Sequence, residues 1–235
     1  MKSLEAMGIK TLTLDVLDDA SIAKVASTIT QLDILVNNAG AAYSMPVSDV
    51  SIAKAKELFD LNVWSYLAVT QAFLPLIIKS KGTIVNQTSL SSVCATPFTS
   101  PYNASKAAIA SFSESQRLEL SPFGVRVVDL KTGSVRSNIN DAPKSRLPEA
   151  SIYKPVREIV EKAMAFEGVA KDAMDRDVWA KATVADLLKK TPPSNIWRGT
   201  NAWLVWFMTM LPHGFFDGTV KKMTGLDLVE KKVSS

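Results

Sequence analysis

Short apolar runs alternate with longer amphipathic segments along this 235-residue chain, and this alternation constrains its fold more than any other feature. The short runs, rich in β-branched and apolar residues, occupy residues 11–16, 32–36, 82–86 and 125–130. Parallel strands need helical crossover connections, so the alternation predicts an α/β fold with a parallel sheet. Ile84 and Val85 are consecutive and apolar, which predicts that helices cover both faces of their strand.

The segments between the short runs carry helical patterns. Asp18 and Asp19 precede the first of them, which predicts a capped helix over residues 20–30. Apolar residues recur every three or four positions between Phe59 and Ile77, which predicts a long helix packed on the sheet, with Pro75 near its end. Further helices are predicted over residues 101–120, 156–165, 175–190 and 196–211.

Composition and charge exclude several classes of function. The 27 basic and 23 acidic residues are scattered, so we expect no nucleic-acid partner. The lone cysteine, Cys94, and the lone histidine, His213, exclude a disulfide framework and make a zinc site or a histidine-based triad hard to build. We therefore expect no metal. The first six residues lack the apolar run of a signal peptide, which favours a cytoplasmic protein.

Tyr102 and Lys106 stand four residues apart in the predicted helix over residues 101–120, and therefore on one helix face. A cation held near a phenol favours the phenolate and lowers its pKa from the usual value of about 10. We therefore expect Tyr102 to act as a general acid or base. Taken alone, the pair favours a solvated helix surface over a catalytic role, because this spacing arises by chance in many helices.

Two more polar residues precede this pair. Ser89 lies just beyond the carboxyl end of the strand over residues 82–86, where open α/β sheets bind ligands, and a hydroxyl there can stabilise a developing alkoxide. Asn62 lies within an otherwise good helical pattern, although asparagine is an indifferent helix former. Singly, each also fits an ordinary role, a turn serine and a solvated asparagine.

Together with the Asn-Asn-Ala-Gly sequence at residues 37–40, these residues resemble the short-chain dehydrogenase/reductase family in order and spacing. The resemblance implies a Rossmann-type doubly wound parallel sheet in a single domain over residues 1–235. It implies NADP as the cofactor, with NAD still open, and a homo-oligomeric assembly. The implied catalytic residues are Asn62, Ser89, Tyr102 and Lys106. The implied cofactor contacts are Asp15, Val16, Asn38, Ala39, Gly40, Tyr102, Lys106, Gly133, Val135 and Ser137, although Thr132 replaces the family's proline before Gly133.

The resemblance also assigns roles to the four catalytic residues. In that family the tyrosine exchanges a proton with the substrate oxygen and the serine steadies that oxygen. The lysine lowers the pKa of the tyrosine and holds the ribose, while the asparagine anchors a water of the proton relay.

The tail from Asn195 to Leu226, with Trp197, Trp203, Trp206 and Leu211-Pro212, resembles a fungal branch of the family similar to 1-acyldihydroxyacetone-phosphate reductases. This implies reduction of a ketone to a secondary alcohol on an apolar or lipid-like substrate, and association with endoplasmic reticulum or lipid droplets. Residues 138–168 would form the substrate lid, followed by a C-terminal helical region reaching residue 235. The tryptophan-rich residues 202–211 are about half as long as a membrane span. They either dip into a membrane interface or pack over the core.

The ten glycines do not cluster into the phosphate-binding turn of a dinucleotide domain. We therefore expect an N-terminally truncated domain that lacks its first βαβ unit. In the doubly wound strand order, residues 11–16 then lose their neighbours, and either pair directly with residues 32–36 or stay loose beside an exposed apolar edge. The alternative function is that of a non-catalytic remnant or binding module unable to hold the dinucleotide.

Overall fold

Four parallel strands form one sheet in the computed structural model, which describes residues 2–137, 139, 145–165 and 172–233. They are β1 (Ile34–Asn37), β2 (Thr83–Gln87), β3 (Arg126–Thr132) and β4 (Asn195–Arg198), and they neighbour one another in that order. The register pairs Leu35 with Ile84 and Ile84 with Val127, so the carboxyl ends of β1, β2 and β3 meet at one edge of the sheet. The predicted α/β fold with a parallel sheet is confirmed.

Helices connect and cover the strands. They are α1 (Lys2–Glu5), α2 (Asp19–Thr28), α3 (Ile52–Phe59), α4 (Ser65–Ser80), α5 (Ser100–Glu119), α6 (Arg157–Met164), α7 (Arg176–Leu187), α8 (Ala202–Met208), α9 (Asp217–Thr224) and α10 (Leu226–Val233). A π-helical turn, Asp60–Trp64, joins α3 to α4. The Asp18 side chain caps α2 by accepting from the amides of Ala20 and Ser21, as its position in the sequence predicts.

Apolar clusters cover the two faces of β2. On one face, α2 and α4 pack over Ile84 and contribute Val25, Phe73 and Ile77. On the other face, Val85 packs in a cluster with residues of β3 and β4 and with Trp179 of α7. Thr83, Ile84, Val85 and Asn86 are consequently all buried, which bears out the strand covered on both sides.

The continuous helix Ile52–Ser80 is, among the described helices, the one long and apolar enough by composition to cross a membrane. Its apolar side is already occupied, because Val69, Phe73 and Ile77 of α4 are buried in the cluster over β1 and β2. This packing is that of a core helix in an α/β fold.

Buried side-chain amides tie the strand ends to the helices beneath them. The Asn37 amide donates to Thr70 Oγ1 (3.0 Å) and to Asn86 Oδ1 (2.9 Å). The Asn86 amide in turn donates to Ser113 Oγ (2.9 Å) and Gln116 Oε1 (3.1 Å). Because buried polar groups are costly unless paired, these bonds fix how α4 and α5 dock on β1 and β2.

The predicted strand over residues 11–16 is wrong. The described segment takes part in no strand ladder, and Leu12 and Leu14 are exposed while Val16 packs against the core. A strand is stable only when its backbone amides and carbonyls find a neighbour, and β1 has its one described ladder with β2. Of the two expected outcomes, the loose one is observed, and Val36 of β1 is 49% exposed.

The helix predicted over residues 196–211 is also wrong in its first part. Residues Asn195–Arg198 form β4, because pairing with β3 and burial of Ile196 outweigh local helical preference. The chain then turns through Gly199 and Asn201, both at positive φ, before α8 begins. Of the predicted lid, the structure describes residue 139 and residues 145–165, including α6, and the other lid residues lie outside the described residues.

Amide hydrogen exchange tests whether residues 11–16 are unpaired. We expect the amides of residues 11–15 to exchange at least about a hundredfold faster than those of residues 84–86, because they lack ladder hydrogen bonds. Exchange followed by mass spectrometry of the two peptides measures the ratio. Equal protection in both peptides would show that residues 11–16 are paired as a strand.

Candidate active site

A cavity of about 1170 Å³ opens at the carboxyl ends of β2 and β3, beside the first turns of α5. Eight of the predicted site residues line it: Asn38, Gly40, Ser89, Tyr102, Lys106, Gly133, Val135 and Ser137. Asn62 lies behind this wall, and Asp15, Val16 and Ala39 lie outside the lining. The topology therefore assembles most of the predicted site at the edge where parallel sheets bind ligands.

Tyr102 and Ser89 face each other at the cavity wall. Tyr102 stands in the first turn of α5, and Ser89 caps the 3₁₀ turn that follows β2, where its Oγ accepts from the Ser91 amide at 3.1 Å. Burial raises the pKa of Tyr102 above its ordinary value of 10, and a side-chain hydrogen bond with Ser89 opposes that rise. The phenol is therefore protonated at neutral pH, the form needed in a proton donor.

Lys106 is buried one helical turn beyond Tyr102, with 4% of its surface exposed. Its Nζ donates to the Gln87 carbonyl at 2.9 Å and lies 5.9 Å from the centroid of the Tyr102 ring. Burial lowers the pKa of Lys106 to about 8, while the negative charge of Asp129 works against that fall. The ammonium form consequently still predominates at pH 7.

The lowered pKa predicted for Tyr102 is wrong. The sequence correctly places the ammonium and the phenol on one helix face, but the pKa of Tyr102 is raised because desolvation outweighs the favourable contacts. The Lys106 ammonium lies over the face of the Tyr102 ring and gives its hydrogen bond to a backbone carbonyl of β2. Spacing alone cannot reveal how strongly the fold desolvates both groups.

Asn62 is fully buried in the π-helical turn between α3 and α4. Its Oδ1 accepts from the Ala41 amide at 2.9 Å, and its Nδ2 donates to the Ala41 carbonyl and to Ser105 Oγ, both at 3.0 Å. A Cβ on Gly40 would lie 3.1 Å from Asn62 Oδ1 and 3.6 Å from Lys106 Nζ. Asn62 thus fixes the loop after β1 against α5, and glycine at position 40 allows that close approach.

A buried polar cluster next to Ser89 was missed by sequence reasoning. The Thr88 hydroxyl donates to the Asp129 carboxylate, which also pairs with the Lys131 ammonium, and Lys131 donates to Asn195 Oδ1 at 2.7 Å. These contacts hold the residue immediately before Ser89. The available signal was the pair of charges inside an otherwise apolar strand, since buried charges are rare unless paired.

The outer wall of the cavity comes from α6, α8 and α9 and is largely apolar, including Leu204, Met208 and Met223. Among the described lining residues there is no carboxylate, whereas Lys106, Lys162 and Lys222 are present. Such a wall suits an amphiphilic ligand that has an apolar part and a negatively charged group.

Asp15 and Val16 serve local structure. The Asp15 carboxylate accepts from the Leu17 amide at 2.9 Å on the exposed surface, and Val16 packs against the core cluster. Their assignment to the cofactor, like that of Ala39, stays a prediction.

Comparison with known proteins gives consistent matches. The family model described as short chain dehydrogenase matches residues 1–147. A short-chain dehydrogenase/reductase of Pestalotiopsis microspora is 55% identical over 237 residues, covering 99% of this chain and 83% of the relative. The NADPH-dependent 1-acyldihydroxyacetone phosphate reductase of Schizosaccharomyces pombe is 34% identical over 244 residues, covering 96% and 82%.

Two solved structures share the fold. A short-chain dehydrogenase from Streptomyces avermitilis superposes with a TM-score of 0.75 at 23% identity, over 99% of this chain and 85% of that one. A short-chain dehydrogenase from Burkholderia cenocepacia in complex with NADP has a TM-score of 0.65 at 21% identity, over 89% and 77%. Both are Rossmann-fold proteins, in agreement with the sheet described above.

The contact between Ser89 and Tyr102 predicts a change in acidity. In Ser89→Ala the pKa of Tyr102 should rise further, because the hydrogen bond that opposes the effect of burial is lost. Titration of ¹³Cζ-labelled tyrosines by NMR measures it, with the Tyr102 signal among four tyrosines assigned by Tyr102→Phe. Ser91→Ala, also on the cavity wall, is the control and should leave the titration in place. An unchanged midpoint in Ser89→Ala would contradict the contact.

Proposed function

The chain belongs to the short-chain dehydrogenase/reductase family of oxidoreductases, and we propose that it reduces a ketone to a secondary alcohol with NADPH, on an apolar or lipid-like substrate. One observation carries the proposal. A desolvated phenol, Tyr102, shares the wall of a large, mostly apolar cavity with Ser89, which opposes the rise of its pKa, and lies beside the Lys106 ammonium.

The residues present fit the nicotinamide end of the cofactor. Gly40 brings backbone without a side chain to the cavity wall near Lys106 Nζ, and the chain from Gly133 to Ser137 forms the facing rim. The lysines of the lining and the lack of a described carboxylate there favour an anionic ligand. We assign Asn38, Gly40, Lys106, Val135 and Ser137 to hold the cofactor, which when bound supplies hydride to the carbonyl carbon.

The chain's own residues would protonate the carbonyl oxygen of the substrate and stabilise the charge that develops on it. The Tyr102 hydroxyl donates its proton to the carbonyl oxygen as that oxygen gains charge, so the products are the alcohol and a phenolate. The Ser89 hydroxyl donates a hydrogen bond to the same oxygen and stabilises the charge that develops there. The Lys106 ammonium faces the resulting phenolate and stabilises it until a proton returns.

The substrate class is inferred from the outer wall. Leu204, Met208 and Met223 offer an apolar surface that a short polar ketone would leave unused. The relative from Schizosaccharomyces pombe is named for a ketone that carries an acyl chain and a phosphate. Such an amphiphile suits a wall that combines apolar side chains with lysines, and we propose substrates of this kind.

The second candidate function is that of a non-catalytic binding module. It is favoured by the ten glycines, none of which forms the clustered turn that grips a pyrophosphate. Fluorescence titration with NADPH separates the two functions, because the enzyme binds the cofactor saturably and the module does not bind it even at about millimolar cofactor.

Tyr102→Phe tests the reductase directly. Loss of one hydroxyl removes the proton donor, so ketone-dependent NADPH oxidation should fall by at least about a hundredfold. NADPH affinity and the melting temperature should change little, because the ring and its packing remain. The substrate panel includes alkyl ketones of increasing chain length and 1-acyldihydroxyacetone phosphate. A variant with the full rate would show that Tyr102 is not the donor.

We also propose that the protein is cytoplasmic and makes peripheral contact with endoplasmic reticulum or lipid-droplet surfaces. The support is an aromatic surface on and after α8, in which Trp203 is 72% exposed and Trp206, Phe207 and Phe215 are also exposed. Aromatic side chains favour membrane interfaces, where an apolar body and a polar edge are both accommodated. A homo-oligomeric assembly stays a prediction.

Vesicle flotation tests the membrane contact. The protein should float with phosphatidylcholine vesicles, and Trp203→Ser combined with Phe207→Ser should reduce the bound fraction several-fold, because exposed aromatic area is lost. Trp64→Ser, at a tryptophan that is also exposed and lies far from α8 in the sequence, is the control. Equal flotation of all three proteins would contradict this surface, and no flotation of the wild type would contradict the contact itself.

A further inference from the structure

Tyr66 is a buried phenol on α4 that the chemistry described above does not use. It is 2% exposed, and its hydroxyl donates to the Gln87 carbonyl at 3.3 Å. The same carbonyl accepts from Lys106 Nζ at 2.9 Å, and Nζ lies 5.7 Å from the centroid of the Tyr66 ring. Tyr66 therefore contacts the anchor of the Lys106 ammonium with its hydroxyl and the ammonium itself with its ring.

We propose that Tyr66 is a positioning residue that holds the Lys106 ammonium charged and in place beneath the cofactor-binding wall. The value of this placement for catalysis rests on the proposed reductase function. The placement itself is a property of the chain alone, and it is measured without substrate or cofactor.

The physical basis is the environment of a cation that has left water. Two aromatic rings, those of Tyr66 and Tyr102, flank Nζ at similar distances, and the negative face of a ring attracts a cation most strongly where water is excluded. The Gln87 carbonyl gives the ammonium its hydrogen bond. Without these partners, burial would release the proton from Lys106 more readily.

The other charged group that acts on Lys106 comes from β3. The Asp129 carboxylate attracts the ammonium, but it is itself paired with Lys131 and hydrogen-bonded to Thr88. Its charge is therefore shared, and the ring of Tyr66 has a separate part in keeping Lys106 protonated. From the loop after β1, Gly40 presents only backbone toward Nζ.

The competing explanation is that Tyr66 only fills space. Its ring packs with Val63 and Ile109 in a small cluster between α4 and α5. Pure packing predicts that replacing Tyr66 by leucine lowers stability, as for any core aromatic residue, and leaves the protonation of Lys106 as it was.

Titration of the Lys106 side chain separates positioning from packing. The protein is labelled with ¹³C at lysine Cε, and the Lys106 signal is assigned by its loss in Lys106→Met. In wild-type protein its midpoint should lie at about pH 8. In Tyr66→Leu the midpoint should fall by roughly half to one pH unit, because the ring that stabilises the cation is gone. Phe73→Leu, a buried aromatic of the same helix packed in the core cluster over β1, is the matched control and should leave the midpoint unchanged.

A second series keeps the proposal testable if Tyr66→Leu does not fold. Phenylalanine and its tri- and pentafluoro derivatives at position 66 preserve the shape of the ring while progressively weakening the negative charge of its face. The Lys106 midpoint should fall stepwise along this series. Midpoints that stay constant across the series, or a Tyr66→Leu shift no larger than that of Phe73→Leu, would overturn the proposal.

Activity measurements distinguish failure of the proposed reductase function from failure of the positioning role of Tyr66. If the wild type reduces ketones, the alkaline limb of its pH–rate profile should move to lower pH in Tyr66→Leu, together with the titration. If the wild type shows no reductase activity but the titration shifts as expected, the proposed function fails and the positioning of Lys106 stands. If the wild type is active and the titration does not move, the reductase stands and the positioning role fails.

Discussion

The burial of one ammonium group sets the architecture of the site. Lys106 is almost completely removed from water, which is costly for a charged group unless partners replace the lost hydration. The fold supplies a backbone carbonyl from the end of β2, two aromatic faces from α4 and α5, and a carboxylate from β3. Each partner comes from a different element, so the cation can be accommodated only where these elements converge.

The same convergence explains the neighbouring polar contacts. Asn62 binds both the loop after β1 and Ser105 of α5, and so fixes that loop against the helix that carries Tyr102 and Lys106. Thr88, held by Asp129, fixes the chain just before Ser89. The side chains that would touch substrate are therefore few, while those that hold them are spread over the ends of three strands and over the π-helical turn before α4.

Sequence patterns predicted those parts of the molecule whose structure is decided locally or by simple periodicity. The alternation of runs gave the parallel sheet, Asp18 marked the start of α2, and the four-residue spacing placed Tyr102 and Lys106 on one face of α5. Features decided by distant partners were not predictable in this way. Residues 11–16 have strand composition but no neighbour to pair with, and residues 195–198 became a strand because β3 lies beside them. The pKa of Tyr102 depends on desolvation by the assembled fold, and the carbonyl shared by Tyr66 and Lys106 leaves no trace in the sequence.

We propose that this arrangement of hydroxyl, phenol and ammonium supports transfer of hydride from a reduced nicotinamide to a ketone. The most direct measurement follows deuterium from NADPH labelled at C4 of the nicotinamide into a long-chain ketone, with the product analysed by mass spectrometry and NMR. We expect one deuterium at the carbinol carbon of the secondary alcohol, delivered from one face of the labelled cofactor. Failure to form the alcohol when the protein is saturated with cofactor, or an alcohol without deuterium at that carbon, would contradict the claim.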